Sequence, residues 1–376
     1  MTTDILDLTK ATVPVGADAI YLATGIVGKT GTDQYILLTD LFDNMESKIN
    51  RNSLINGGMR TGQRGTTFDA TTSPLNSDDT YLLDRWILLS DGNDVVDVSQ
   101  STEVPDGALN SIKLEVETAN KQFGILQILE NKDAMSFAGK KASLSFQARM
   151  AAADDNTHSL KAIVLSWDGV ADTVTSDVVN AWLATPTYVA NWTGENTPVS
   201  NTLTTSWQTF EIEDIDIDTA SMANLAVFFF CDQTDGAIGD AIYITKTKIE
   251  RGSVATDFVS RPYAEELALC QRYYEKAYEV GTAPGTVLAA AFAIYAFTYG
   301  TYPTAVCWFK VQKRTSPTVV AYDLAGTVGK VTIDSGDDVA ATIAVKNTVM
   351  AAIYPTGAQT AANHDMNLFF TADAEL

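Results

Sequence analysis

The chain has 376 residues, 46% of them hydrophobic, and carries 25 Lys+Arg against 47 Asp+Glu, a formal net charge of −22. Its length allows two or three domains, because single cores rarely grow past about 250–300 residues. The acidic balance argues against nucleic acid as a partner, since there is no basic footprint to neutralise phosphates.

Cys231, Cys270 and Cys307 are odd in number and far apart, which reads as three buried thiols rather than a disulfide framework. Two histidines, His158 and His364, are too few for a His-based metal site. The opening "MTTDILDLTK" has neither a basic n-region nor an apolar h-region. The richest apolar run, Val287 to Gly300, is interrupted by Thr and Tyr and is shorter than the roughly 20 residues a membrane-spanning helix needs. Synthesis in the cytoplasm without membrane insertion is the expectation.

Residues 1–50 differ from the rest. "ADAIYLATGIVG" and "DQYILLTDLF" predict one or two short strands. Leu38, Leu41, Phe42, Met45 and Ile49 then share one side of a short helix. Such a helix is marginal alone. Its stripe packs either on its own chain or as a seam with symmetry mates or a larger assembly.

From residue 51 to about 260 the period is two. "SIKLEVET" and "ASLSFQARM" alternate apolar and polar residues, whereas "LAVFFFC" is apolar on both faces and predicts a central strand. Many such strands, separated by Gly, Asp, Asn and Pro, predict a large antiparallel β-sandwich of jelly-roll type. Residues 166–207 interrupt it with a long Asn-, Thr- and Asp-rich stretch holding Trp167, Trp182, Trp192 and Trp207. Long loops on rigid sandwiches commonly carry binding sites, and an exposed indole can stack on the apolar face of a sugar ring. Trp167, Trp182 and Trp192 are therefore the candidate ligand-binding residues, against the alternative that they plug the ends of the sandwich. Trp207 opens a strand and is expected in the core. In "YLLDRWIL", the Asp84–Arg85 pair lies within an apolar run and is expected to be partly buried, fixing one edge of the sandwich.

"RPYAEELALCQRYYEKAYE" predicts one helix over 261–281. Pro262 stands in its first turn, Tyr263, Leu267, Cys270, Tyr274 and Ala277 form its buried face, and Gly281 ends it. It is expected to join the sandwich to a smaller β domain at 282–376, where "TAVCWFKVQ", "TVVAYDL", "GKVTID", "AATIAVK", "TVMAAIY" and "NLFFTADAEL" are candidate strands.

No P-loop, GxGxxG, GxSxG, HExxH or paired CxxC is present, so neither catalytic residues nor a cofactor is assigned. The doublets Asp78–Asp79, Asp154–Asp155 and Asp337–Asp338 offer oxygen ligands that suit calcium, but they read first as solvated loops, and no metal site is assigned.

Several stretches together resemble a known family. "NSLINGGMRTGQRGTTF" followed by "YLLDRWIL", then "TLTTSWQTFEI" and "IERGSVATDFVSRPYAEELALCQRYYEKAYE", and finally "FKVQKRTSPTVVAYDLAGTVGK" and "FFTADAEL", resemble phage and prophage virion structural proteins of the tail-fibre type. The resemblance covers Asn52 to Leu376. It implies a jelly-roll domain like those of carbohydrate-binding modules, a smaller β domain, and assembly on a virion, often as a homotrimer. Residues 1–50 would attach to other virion proteins, and the outer domains would bind host surface glycans. A capsid decoration or head fibre without a receptor role is the alternative, with a polysaccharide-degrading spike a more distant one.

Overall fold

A computed structural model describes residues 19–21, 35–37, 52–72, 74–152, 158–183, 186–231, 236–290, 293–298, 303–334, 336–357 and 364–376. The architecture is mainly β: two large antiparallel sheets, a short linking helix and a smaller curled β domain. Near the N-terminus, Ala19–Tyr21 pairs antiparallel with Tyr35–Leu37, while the expected helix at 38–49 lies outside the described residues.

One sheet of the sandwich runs Trp192–Gly194, Ser159–Trp167, Asn224–Cys231, Phe123–Leu129, Ile87–Ser90 and Thr80–Tyr81 in that spatial order, with Asn201–Thr202 also pairing on Ser159–Trp167. The facing sheet runs Gln208–Ile217, Lys140–Met150, Ala241–Arg251, Ser111–Val116, Val96–Ser101 and Thr67–Phe68. The main core lies between them. Its composition follows from the two-residue period of the strands. In Asn224–Cys231, Leu225, Val227 and Phe229 point into this core, whereas Ala226, Phe228 and Phe230 point the other way into a second core. The first sheet is therefore buried on both faces, which explains why "LAVFFFC" has no polar side. Gly124 sits in its middle, opposite Phe230. A Cβ there would lie 2.3 Å from the Phe229 carbonyl oxygen, so only glycine fits without a shift of backbone.

The facing sheet keeps the alternation. Leu144, Phe146 and Ala148 enter the main core, and Ser145 and Gln147 point outward. We refer to the two as the covered sheet and the open sheet.

The linking helix spans Tyr263–Gln271, shorter than the expected 261–281. The chain then extends, and Tyr274–Lys276 pairs with the final strand, His364–Asp373. Strand pairing overrides helix propensity here, because Tyr274, Glu275 and Lys276 are all buried and join the C-terminal sheet as one of its strands. The buried helical face is also rotated from the expected one: Tyr263 is 40% exposed, and Glu266, Cys270 and Gln271 are buried. The six C-terminal stretches read as strands are strands. With Tyr274–Lys276 and Ile294–Thr298 they form one eight-stranded sheet network curled round its own core, with Val331, Ile353, Leu368 and Phe370 at the centre. All three cysteines are buried, and no disulfide joins them.

The sandwich, the helix and the C-terminal domain meet in a buried polar joint. Asp84 and Arg85 are each 1% exposed, but they do not pair with each other. Asp84 accepts from the Gln63 amide nitrogen (2.9 Å) and side chain (2.7 Å). Arg85, held at φ 72°, donates to Glu375 and to the Ile128 carbonyl, and its guanidinium lies 3.7 Å from the Tyr273 ring centroid. That backbone conformation costs about 1–2 kcal/mol for a residue with a Cβ, which these contacts offset. Arg64 bridges Asp373 (3.0 Å) and Glu375 (3.4 Å). Lys313 and Glu275 pair at 2.6 Å with almost no exposure, and Glu266 accepts from the backbone of Asn56. Burial pushes the Glu375 carboxyl upward, and Arg85 and Arg64 pull it part of the way back. The stretches that carry the family resemblance are thus largely those that build this joint.

Candidate functional site

The long Trp-rich segment closes over the outer face of the covered sheet. Its short hairpin, Val179–Ala181 with Thr187–Tyr188, lies in this layer, and Val178, Val179 and Trp192 complete the second core. Trp167 and Trp192 face each other across paired strands, with ring centroids 5.3 Å apart. Each is 6% exposed, and each indole N–H donates to a backbone carbonyl, of Val170 and Thr175 respectively. They are core residues and present no face for stacking, so the structure corrects the expectation for these two. Trp182 is half-buried, 6.0 Å from Phe228, and belongs to the same layer. The covering segment thus hides one side of the sandwich and leaves the open sheet as its accessible face.

Trp207 is also placed differently from expectation. It shares the outward phase of Thr209 and Glu211 rather than the inward phase of Phe210 and Ile212, and it is half-buried. Its ring meets Tyr243 edge-on at 6.4 Å, and the Arg149 guanidinium lies 5.5 Å from the Tyr243 centroid. Arg149 pairs in turn with Glu103 at 2.7 Å.

Two more cross-strand rows continue this surface. Thr209 lies opposite Gln147, and the Gln147 amide donates to its hydroxyl at 2.8 Å. Glu211 lies opposite Ser145, which pairs on its other side with Lys248. Among the described residues, neither Trp207 Nε1 nor Gln147 Oε1 has a hydrogen-bond partner.

A returning segment, Thr256–Phe258, turns these rows into a groove. It is held by the buried Lys248–Glu250 pair (2.9 Å): the Lys248 ammonium donates to the Thr256 and Asp257 carbonyls, and Glu250 accepts from the Thr256 amide. The pair stands just past a register shift between Thr245 and Lys248. That irregularity is tied to the N-terminal motif, since Thr247 donates to the Gly57 carbonyl and Asn52 donates to the Thr247 carbonyl. A Cβ on Gly57 would sit 2.2 Å from the Thr247 oxygen, which accounts for a glycine in "INGG".

The groove has a volume of about 300 Å³, at the lower end of the range for small-ligand sites. Ser145 and Gln147 form its floor, Thr209 and Glu211 one side, and Asp257 with the half-buried Phe258 ring the other. An aromatic wall facing hydroxyl, amide and carboxylate groups matches the two characters of a pyranose ring, one apolar face and a polar rim. The period-two phase of "SWQTFEIED" was the signal for Trp207, Thr209 and Glu211. Nothing local in the sequence marks Thr256–Phe258 as a wall.

Among the described residues, no cluster of His, Cys, Asp and Glu is arranged to hold a metal, and no helix is long and apolar enough to cross a membrane. Asp154 and Asp155 lie outside the described residues.

No family model and no curated protein matches the chain. Solved structures resemble part of it. The enzymatically active domain of bacteriophage CBA120 tailspike protein 4 matches with TM-score 0.33 and 18% identity, over 53% of this chain and 21% of that one. TmCBM61, solved in complex with β-1,4-galactotriose, matches with TM-score 0.31 and 16% identity, over 54% and 99%. The CBM22-1 xylan-binding domain of Paenibacillus barcinonensis Xyn10C matches with TM-score 0.32 and 14% identity, over 55% and 97%.

Proposed function

We propose that the chain is the glycan-binding part of a phage-type virion appendage, and that it binds without cleaving. The observation that carries this reading is the groove on the open sheet, where Phe258 faces Ser145, Gln147, Thr209 and Glu211, with Trp207 and Tyr243 alongside. A shallow site of this size binds weakly: a millimolar contact is worth about 4 kcal/mol. A homotrimer attached to the particle through residues 1–50 would raise the avidity by roughly 10²–10⁴.

The test is a glycan array probed with the full chain, followed by titration of hits. Binding that falls at least fivefold in Phe258→Ala and Trp207→Ala, with unchanged melting temperature, supports the reading. No retained glycan on the array refutes it, and release of reducing ends from a bound glycan refutes binding without cleavage. For the virion assignment, deletion of residues 1–50 should abolish incorporation into particles. Failure of the purified chain to inhibit host adsorption at saturation would favour a decoration protein instead.

A further inference from the structure

The groove carries an unusual charge arrangement. Glu211 and Asp257 line its two sides, both are exposed, and among the described residues neither side chain has a hydrogen-bond or ion-pair partner. Most of the neighbouring cations are already paired with other carboxylates. Arg149 is held by Glu103, Lys113 by Glu115, Lys248 by Glu250, and Lys141 by Asp214 and Asp216. Lys246, which lines the groove, donates its ammonium to the neutral Asp106 carbonyl at 2.7 Å, so the groove's lining side chains carry two negative charges against one positive.

A second, independent feature marks the same spot as a ligand site. Ser145 on the floor is only 7% exposed, and no described group bonds its hydroxyl. A serine so nearly buried, with a hydroxyl that no protein group bonds, can bond whatever occupies the groove. Carboxylates on both sides, a hydroxyl below and an aromatic ring beside them form a receptor for a ring that carries positive charge.

We propose that the groove selects saccharides by charge: it takes a sugar bearing a free protonated amine, such as a de-N-acetylated hexosamine, and rejects acidic sugars. The proposal rests on the glycan-binding reading above. The ammonium sits between Glu211 and Asp257, the ring hydroxyls reach Ser145 and Gln147, and the apolar ring face lies on Phe258. Acetylation of the amine removes the charge and leaves both carboxylates unpaired. An acidic sugar brings a third negative charge against them.

The experiment is isothermal titration of the full chain, at low salt and mildly acidic pH, with three tetrasaccharides: β-1,4-linked glucosamine, β-1,4-linked N-acetylglucosamine and, as the acidic probe, α-1,4-linked galacturonate. The expected order is amine over N-acetyl by about tenfold, the effect of two solvent-facing charge pairs, with no measurable binding of the acid. The amine preference should shrink as salt rises. Glu211→Gln combined with Asp257→Asn should erase that preference, bringing the amine and N-acetyl oligomers to equal affinity. Equal affinity for amine and N-acetyl oligomers, or a preference that survives the double variant, overturns charge selection while leaving glycan binding intact. Tightest binding of the acidic oligomer overturns it as well. If none of these binds and the array is also blank, both the charge proposal and the glycan reading fall.

Discussion

Arg85→Met tests the joint most sharply. The substitution keeps most of the aliphatic volume but removes the guanidinium from Glu375, whose side chain is 5% exposed. Arg64, at 3.4 Å and already shared with Asp373, becomes its nearest remaining cation. Breaking a buried ion pair from one side costs about 3–5 kcal/mol, and the Ile128 carbonyl loses its guanidinium donor at a further cost of about 1 kcal/mol. The single variant should therefore destabilise the joint by about 4–6 kcal/mol. Arg85→Met with Glu375→Leu removes both charges and should cost only about 1–2 kcal/mol, because no uncompensated charge remains buried. The assay is native-state amide exchange. The amides of Tyr274–Lys276, which pair with Thr371–Asp373, report opening of the joint, and those of Asn224–Cys231 report opening of the sandwich. Faster exchange confined to the first set in the single variant, largely restored in the double, is the expected result. A double variant as costly as the two singles added together would refute the pairing argument.

Truncation of Trp167 or Trp192 to Ala should cost about 3–5 kcal/mol by opening a cavity in the second core, while glycan affinity of the folded fraction stays the same; melting and titration separate the two effects. Gly124→Ala should destabilise the sandwich by more than about 3 kcal/mol in urea unfolding, since its Cβ has no room beside the Phe229 carbonyl. Asp97 is raised to about 6, first by burial and then by Glu117, Asp69, Asp94 and Glu115. A carboxyl raised in the folded state contributes stability below its unfolded pKa near 3.9 and loses it as pH climbs to about 6. Asp97→Asn should therefore melt higher than the parent above pH 6 and match it near pH 3.5, where both are neutral.

Period-two patterns carried most of the fold. They identified the doubly buried strand at Asn224–Cys231, the alternating strands of the open sheet and the C-terminal strands, because each pattern reports a face that must be covered or wet. The same rule, applied to Trp207 in phase with Thr209 and Glu211, would have placed it outside the core; its position at a strand start was a weaker guide. Trp167 and Trp192 were misleading because a Trp in a polar segment reads as exposed. Their segment instead covers the apolar outer face made by Phe228 and Phe230. The helix ended early because pairing of Tyr274–Lys276 with a strand some 95 residues later is a long-range contact that helical periodicity cannot register. The partner of Arg85 was illegible for the same reason, being 290 residues away.

The central claim is that saccharide binds on the open sheet and not on the Trp-rich cover. Hydrogen–deuterium exchange of the full chain, with and without the tightest-binding saccharide from the titration, tests it directly. Protection should appear at 145–149, 207–211 and 255–258, with 168–194 unchanged. Protection confined to 168–194 would contradict the account.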